Sequence, residues 1–121
     1  MIQSGTYLNV IDNTGVKIVK CIKIIGSSKK VGHIGDKIVV SVRETNSNSK
    51  VKKGEVTQAI IIRTKKGSSR KDGTSLRFLE NSVVLTDKNG ELLGSRIFGI
   101  IPYEIKDMKY KKIISLAQEI A

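Results

Sequence analysis

The residues of this chain best placed to do chemistry are cations. From Ile60 to Phe78 the sequence reads "IIIRTKKGSSRKDGTSLRF". Arg63, Lys65, Lys66, Arg70, Lys71 and Arg77 thus follow directly on an apolar run, with Asp72 the only acid. Lysine brings a mobile point charge, and arginine a planar fork that grips a phosphate at two points. Gly67, Ser68 and Ser69 allow close backbone approach and add small hydroxyl donors. Lys29 and Lys30 form a second basic cluster, and Lys50, Lys52 and Lys53 a third. A solvated loop kept for solubility would explain any one of them. Three together, in a chain where 22 Lys and Arg face 11 Asp and Glu for a net charge of +11 and a pI near 9.9, point to a polyanion.

Other chemistries find little material. His33 is the only histidine and Cys21 the only cysteine, so no His/Cys metal cluster forms within one chain. A Ser-His-Asp arrangement could use only His33, which Gly32 and Gly35 flank in a basic loop, where an exposed histidine is expected. The Lys-Thr and Gly-Lys pairs lack P-loop register. Glu44, Glu55 and Glu80 carry no spacing that brings them together. Cys21, inside an apolar run, reads as a small core residue. No catalytic residue, metal, cofactor or small-molecule substrate is expected, and the chain is not read as an enzyme.

A membrane is expected no more than an enzyme. No apolar run approaches the roughly 18 residues of a spanning helix, and "MIQSGTYLNV" lacks the features of a signal peptide. The tail "YEIKDMKYKKIISLAQEI" partly matches a basic amphipathic helix, but its apolar positions suit packing against the rest of the chain. Among nucleic acids, folded RNA read through phosphate and shape is favoured over base stacking. Aromatics make up only 4% of the chain, as Tyr7, Phe78, Phe98, Tyr103 and Tyr110.

These side chains must be held by something, and the pattern is mostly β. "TYLNVID" alternates and ends at the turn signal "DNTG". "VKIVKCIKII" has lysines at 17, 20 and 23, a helix-like spacing, yet its β-branched content favours a strand with a bulge. "KIVVSVR" puts Ile38, Val40 and Val42 on one face. "VTQAIIIRT" and "SVVLTD" are further strands, with Ile60 and Ile62 expected to face inward. Asn89-Gly90 predicts a type I′ hairpin turn, and Asp72-Gly73 a turn at the tip of the basic arm. From Tyr103 to Ala117 an interrupted helical period follows Pro102. Five or six short strands and a helical tail predict a small closed or half-open β-barrel in one domain, 1–121. The barrel spans about 1–100, the arm about 63–77 and the tail about 102–118.

The chain also resembles, almost end to end, the universal large-subunit ribosomal protein number fourteen family of bacterial and organellar type. The opening "MIQSGTYLNVIDNTG" is similar to the family's N-terminus. The most specific block runs Ala59-Ile60-Ile61-Ile62, nine residues, Asp72-Gly73, four residues, Phe78, two residues, Asn81, then Ser82-Val83-Val84-Leu85. "VKKGE", "RTKKG", "GSRIFG" and "KIISLA" are further shared blocks. The resemblance implies a mainly β fold: a five-stranded OB/SH3-like barrel with a protruding basic β-ribbon and a short C-terminal helical region. It implies a structural constituent of the large ribosomal subunit that binds large-subunit rRNA and meets small-subunit rRNA at an intersubunit bridge. The partners implied are ribosomal proteins number three and nineteen, and a ribosome-silencing or assembly factor whose contact maps onto Ser95, Arg96 and Lys112. "RKDG" departs from the family by placing Lys71 where many members have proline, and "IFGIIPYEI" and "SLAQEIA" depart near the end.

The RNA-binding residues expected are thus Lys29, Lys30, Lys50, Lys52, Lys53, Arg63, Lys65, Lys66, Arg70, Lys71 and Arg77. The alternative function is a free OB-like RNA-binding or RNA-chaperone module, which would bind short unstructured RNA outside any particle. Ile-, Lys-, Asn- and Ser-rich usage suggests an A+T-rich genome. The ribosome is the expected location, with the mitochondrial matrix ahead of the plastid and the bacterial cytoplasm as the alternative.

Overall fold

A computed structural model of the chain describes residues 2–25, 31–65, 68–69, 75–76, 80–101, 113 and 117–120. In chain order the strands are β1 (Tyr7–Val10), β2 (Val16–Ile24), β3 (Lys37–Thr45), β4 (Val56–Arg63), β5 (Ser68–Ser69), β6 (Ser75–Leu76), β7 (Ser82–Thr86), β8 (Ile97–Ile101) and β9 (Ala117–Ile120). Five of them close a barrel in the order β1-β2-β3-β4-β7. Every barrel pairing is antiparallel except the closing one, where β1 runs parallel to β7 with Asn9 opposite Ser82. Closure leaves no unpaired edge in the barrel.

Two bulged stretches explain the odd period of β2. Its register against β3 slips between Val16 and Ile18, between Ile18 and Val19, and again between Cys21 and Lys23. The first and last slips insert a residue into β2 and the middle one a residue into β3, so the inward set of β2 becomes Val16, Val19, Cys21 and Ile24. The lysines at 17, 20 and 23 are carried to the outer surface by the same shifts. In β3 the strict alternation expected of Ile38, Val40 and Val42 holds, and all three are fully buried.

The apolar run in β4 is buried on both faces, and the expectation for its direction is corrected. Ala59 and Ile61 point into the barrel beside Leu8, Val19, Val40, Val83 and Leu85. Ile60 and Ile62 face outward into a second layer with Ile11, Ile34, Val84, Ile97 and Ile113. Consecutive strand residues alternate sides, so three isoleucines in a row require apolar cover on each. Burying an aliphatic side chain of this size stabilises by about 1.5–3 kcal/mol, which makes the second layer as important as the first.

β5 and β6 pair antiparallel as a two-stranded ribbon, as the arm was expected to do, while Asp72-Gly73 lies outside the described residues. The Asn89-Gly90 hairpin is present in a different form. Gly90 N–H donates to Asp87 O at 3.1 Å and Asp87 N–H to Glu91 O at 2.9 Å. Lys88 and Asn89 are therefore the central turn residues, and Gly90, at φ 82°, is the bulge that follows. Asp87 Oδ1 accepts from the Asn89 and Glu91 N–H groups, which selects this turn over type I′. Most of the expected tail at 102–118 lies outside the described residues. Ile113 is helical, and Ala117–Ile120 forms a strand parallel to Ile97–Ile101 that the sequence pattern did not reveal.

Candidate nucleic-acid interface

The two ends of the basic arm are tied together by charge. Arg63 ends β4 and Glu80 precedes β7, and the Arg63 Nη2 donates to Glu80 Oε1 at 3.2 Å. Glu80 also accepts from Asn9 Nδ2 at 2.7 Å and from Ser82 Oγ at 3.3 Å. One turn further out, the Lys65 N–H donates to Asn81 Oδ1 at 2.9 Å. The carboxylate thus gathers side chains from β1, β4 and β7 under the root of the ribbon.

Arg63 therefore stands elsewhere than expected. Its side chain is only 15% exposed. Burial pushes its pKa down, and the neighbouring Glu80 carboxylate pushes it up, with burial the larger effect. The group remains a cation, as arginine does throughout proteins. Gly99 in β8 presses on the same group. A Cβ there would lie 3.2 Å from Arg63 Nη1, and its backbone, at φ 80°, is one that side-chain-bearing residues rarely adopt. Arg63 is a mounting residue between barrel, arm and β8.

Lys50, Lys52 and Lys53 are exposed on the loop from 46 to 55. Backbone bonds from Asn46 N–H to Gly15 O (2.7 Å) and from Lys50 N–H to Thr14 O (2.9 Å) dock this loop on the "DNTG" turn. Buried Val51 anchors it, and a turn closed by Glu55 N–H on Lys52 O presents Lys52 and Lys53. These lysines precede β4 whereas Lys65 follows it. Eight residues of strand separate them by about 26 Å. Among the described residues, the expected cations Lys50, Lys52 and Lys53 lie at one end of β4 and Arg63 and Lys65 at the other. Lys29, Lys30, Lys66, Arg70, Lys71 and Arg77 lie outside the described residues.

Ser95 and Arg96 are exposed, and Asn13 holds both. Its Oδ1 accepts from the Ser95 N–H at 2.8 Å and the Arg96 N–H at 3.1 Å, and its Nδ2 donates to Ser95 Oγ at 2.8 Å. Beneath it, the buried Asp12 accepts from Thr14 Oγ1 (2.6 Å), Thr14 N–H (3.2 Å) and Leu85 N–H (2.9 Å). Lys112 lies outside the described residues.

Sequence reasoning missed several residues. Asn13 and Glu80 act through distant partners that no local spacing displays. Lys17, Lys20, Lys23, Lys37 and Arg43 are cations on the outside of β2 and β3, and the spacing of three in β2 was the available signal. Among the described residues, no group of three His, Cys, Asp or Glu converges as a metal site would require. Cys21 is buried, and burial pushes its thiol pKa up, away from the reactive thiolate. Among the described residues, no helix is long and apolar enough to cross a membrane.

Comparison with known proteins gives concordant matches. The family model described as ribosomal protein L14p/L23e matches residues 1–121. The large ribosomal subunit protein uL14 of Carsonella ruddii (strain PV) is 50% identical over 121 residues, covering 99% of each chain.

Proposed function

Because the chain belongs to the ribosomal protein L14p/L23e family over its whole length, we propose that its basic loops bind the rRNA of the large subunit in which it is built. It is a structural constituent of the large ribosomal subunit and not an enzyme. In this reading the chain is one domain, 1–121. Lys65, Lys66, Arg70, Lys71 and Arg77 of the arm, together with Lys29, Lys30, Lys50, Lys52 and Lys53, neutralise rRNA phosphates. Arg63 moves from that set to the mount beneath it.

The observation that carries the reading is the clasp at the arm's root. The Arg63–Glu80 pair, 3.2 Å long, joins the first residue of the arm to the segment that leads from it into β7. A fixed base at the root of the arm reduces the entropy lost when its cations engage a polyanion. Placement of the second lysine loop across the length of β4 lets one barrel brace RNA segments on two sides. Small-subunit rRNA at an intersubunit bridge and ribosomal proteins number three and nineteen complete the proposed partners. Ser95, Arg96 and Lys112 form the proposed contact for a silencing or assembly factor, with Asn13 fixing the first two. The relative from Carsonella ruddii supports a bacterial cytoplasmic ribosome over the mitochondrial matrix.

The test is incorporation. Replacing Lys65, Lys66, Arg70 and Lys71 with serine, and leaving Arg63 in place, should yield a folded protein that no longer co-sediments with the large subunit after a high-salt wash. Normal co-sedimentation of that variant sinks the arm as the principal contact. For wild-type protein, about six phosphate contacts would give a slope of log affinity against log salt near −5, on a DNA-derived scale.

A further inference from the structure

The outer face of β1, β2 and β3 carries charge that the loops and the arm do not use. Lys17, Lys23 and Arg43 are exposed and Lys20 is half-buried, with Glu44 the only acid on β2 and β3. None of the four cations has a carboxylate partner among the described residues. In the middle lies Tyr7. It stands opposite Lys20 in the β1–β2 register, and Lys20 in turn stands opposite Ser41 of β3. The Tyr7 side chain is 56% exposed, and its ring centroid is 5.7 Å from the Lys20 ammonium. Its hydroxyl makes no hydrogen bond among the described residues. Ile22, 40% exposed, adds apolar surface on β2.

An aromatic ring left this open, flanked by unpaired cations, has the composition of a stacking platform with phosphate holders around it. Lys17 and Lys23 are six residues apart along β2, a span of about 20 Å that covers several nucleotides of an extended strand. The ammonium near the ring orients it and adds attraction for an anionic ligand. A protein partner would need a dense acidic patch to match four cations, whereas RNA supplies that charge in its backbone.

We infer that this face is a second RNA-binding surface. One unpaired nucleotide of the large-subunit rRNA stacks on Tyr7, and Lys17, Lys20, Lys23 and Arg43 hold the phosphates on either side. The inference rests on the ribosomal reading above and adds a distinct surface and a distinct mode to it. Base stacking was disfavoured on composition because aromatics are few, but a single platform needs only one that is exposed.

The experiment uses full-length protein built into large subunits, with the rRNA probed by dimethyl sulfate and carbodiimide. Subunits carrying Tyr7→Ala should show raised reactivity at one or two unpaired bases, and Tyr7→Phe should match wild type, since it keeps the ring. Stacking of this kind changes affinity about five- to 150-fold per base. Lys17→Gln with Lys23→Gln should lower the salt concentration at which the protein is washed from the subunit. An identical reactivity map for wild type and Tyr7→Ala overturns the inference. So does a photoreactive phenylalanine at position 7 that crosslinks to protein in place of RNA. Failure of the broader reading is separate, because it would appear as wild-type protein absent from the large subunit.

Discussion

Glu80→Gln tests whether the clasp mounts the arm. Glutamine keeps the shape of the side chain and removes its charge. Arg63 and Glu80 side chains are 15% and 44% exposed. At an effective dielectric of about 20, two unit charges 4 Å apart attract by about 4 kcal/mol. Desolvation of Arg63 and the half-open position of Glu80 reduce this to a net of about 1–2 kcal/mol. For a chain of this size that is a melting temperature lower by about 3–8 °C. The assay is a double-mutant cycle of Arg63→Met and Glu80→Gln followed by urea unfolding. We expect a coupling of about 1 kcal/mol, well above the roughly 0.3 kcal/mol by which independent sites fail to add. Salt dependence of rRNA binding supplies the second axis. Lys65→Gln should reduce the slope by about one phosphate contact while leaving stability alone, and Arg63→Met should do the reverse. A negligible coupling, together with a slope change for Arg63→Met, would show that Arg63 is a phosphate ligand and that the mount is misread.

Asp12→Ala strands two buried N–H groups and the Thr14 hydroxyl, which should cost about 2–4 kcal/mol in urea unfolding. A loss under about 1 kcal/mol would mean that water replaces the carboxylate. Cys21 supplies a pH dependence. Its folded pKa is raised by burial, so the unfolded chain ionises first and binds fewer protons. Stability should therefore hold below the ordinary thiol range and fall as pH rises through it toward the folded pKa. Cys21→Ala should flatten that limb, and alkylation of wild type at neutral pH should track global unfolding.

The barrel strands were legible because their apolar residues recur at period two and turn residues separate them. β2 needed a bulge to reconcile its spacing, and the structure supplies two. The direction of Ile60 and Ile62 was not legible. A continuous apolar run does not say which side faces the barrel, and the covering residues Ile97 and Ile113 come from far along the chain. β9 was hidden for a related reason: its parallel partner β8 is distant in sequence, and "SLAQEI" also fits a helical period. At the interface, types and spacing of cations disclosed the loops but not their pairing. Arg63 looks like Lys65 in the sequence. Only the fold sets Glu80 beside one and leaves the other exposed.

The parallel closure of β1 on β7 has a consequence in time. Asn9 pairs with Ser82 and Val10 with Val83, in each case 73 positions further along, so β1 waits for the rest of the barrel to be synthesised. At about 5–20 residues per second that wait is roughly 4–15 s. During it, β1 through β4 can form an antiparallel meander, but one edge of β1 and one of β4 stay open to the surroundings. The nascent chain is most prone to mispairing in this window, and β7 ends it by capping both edges in a single step.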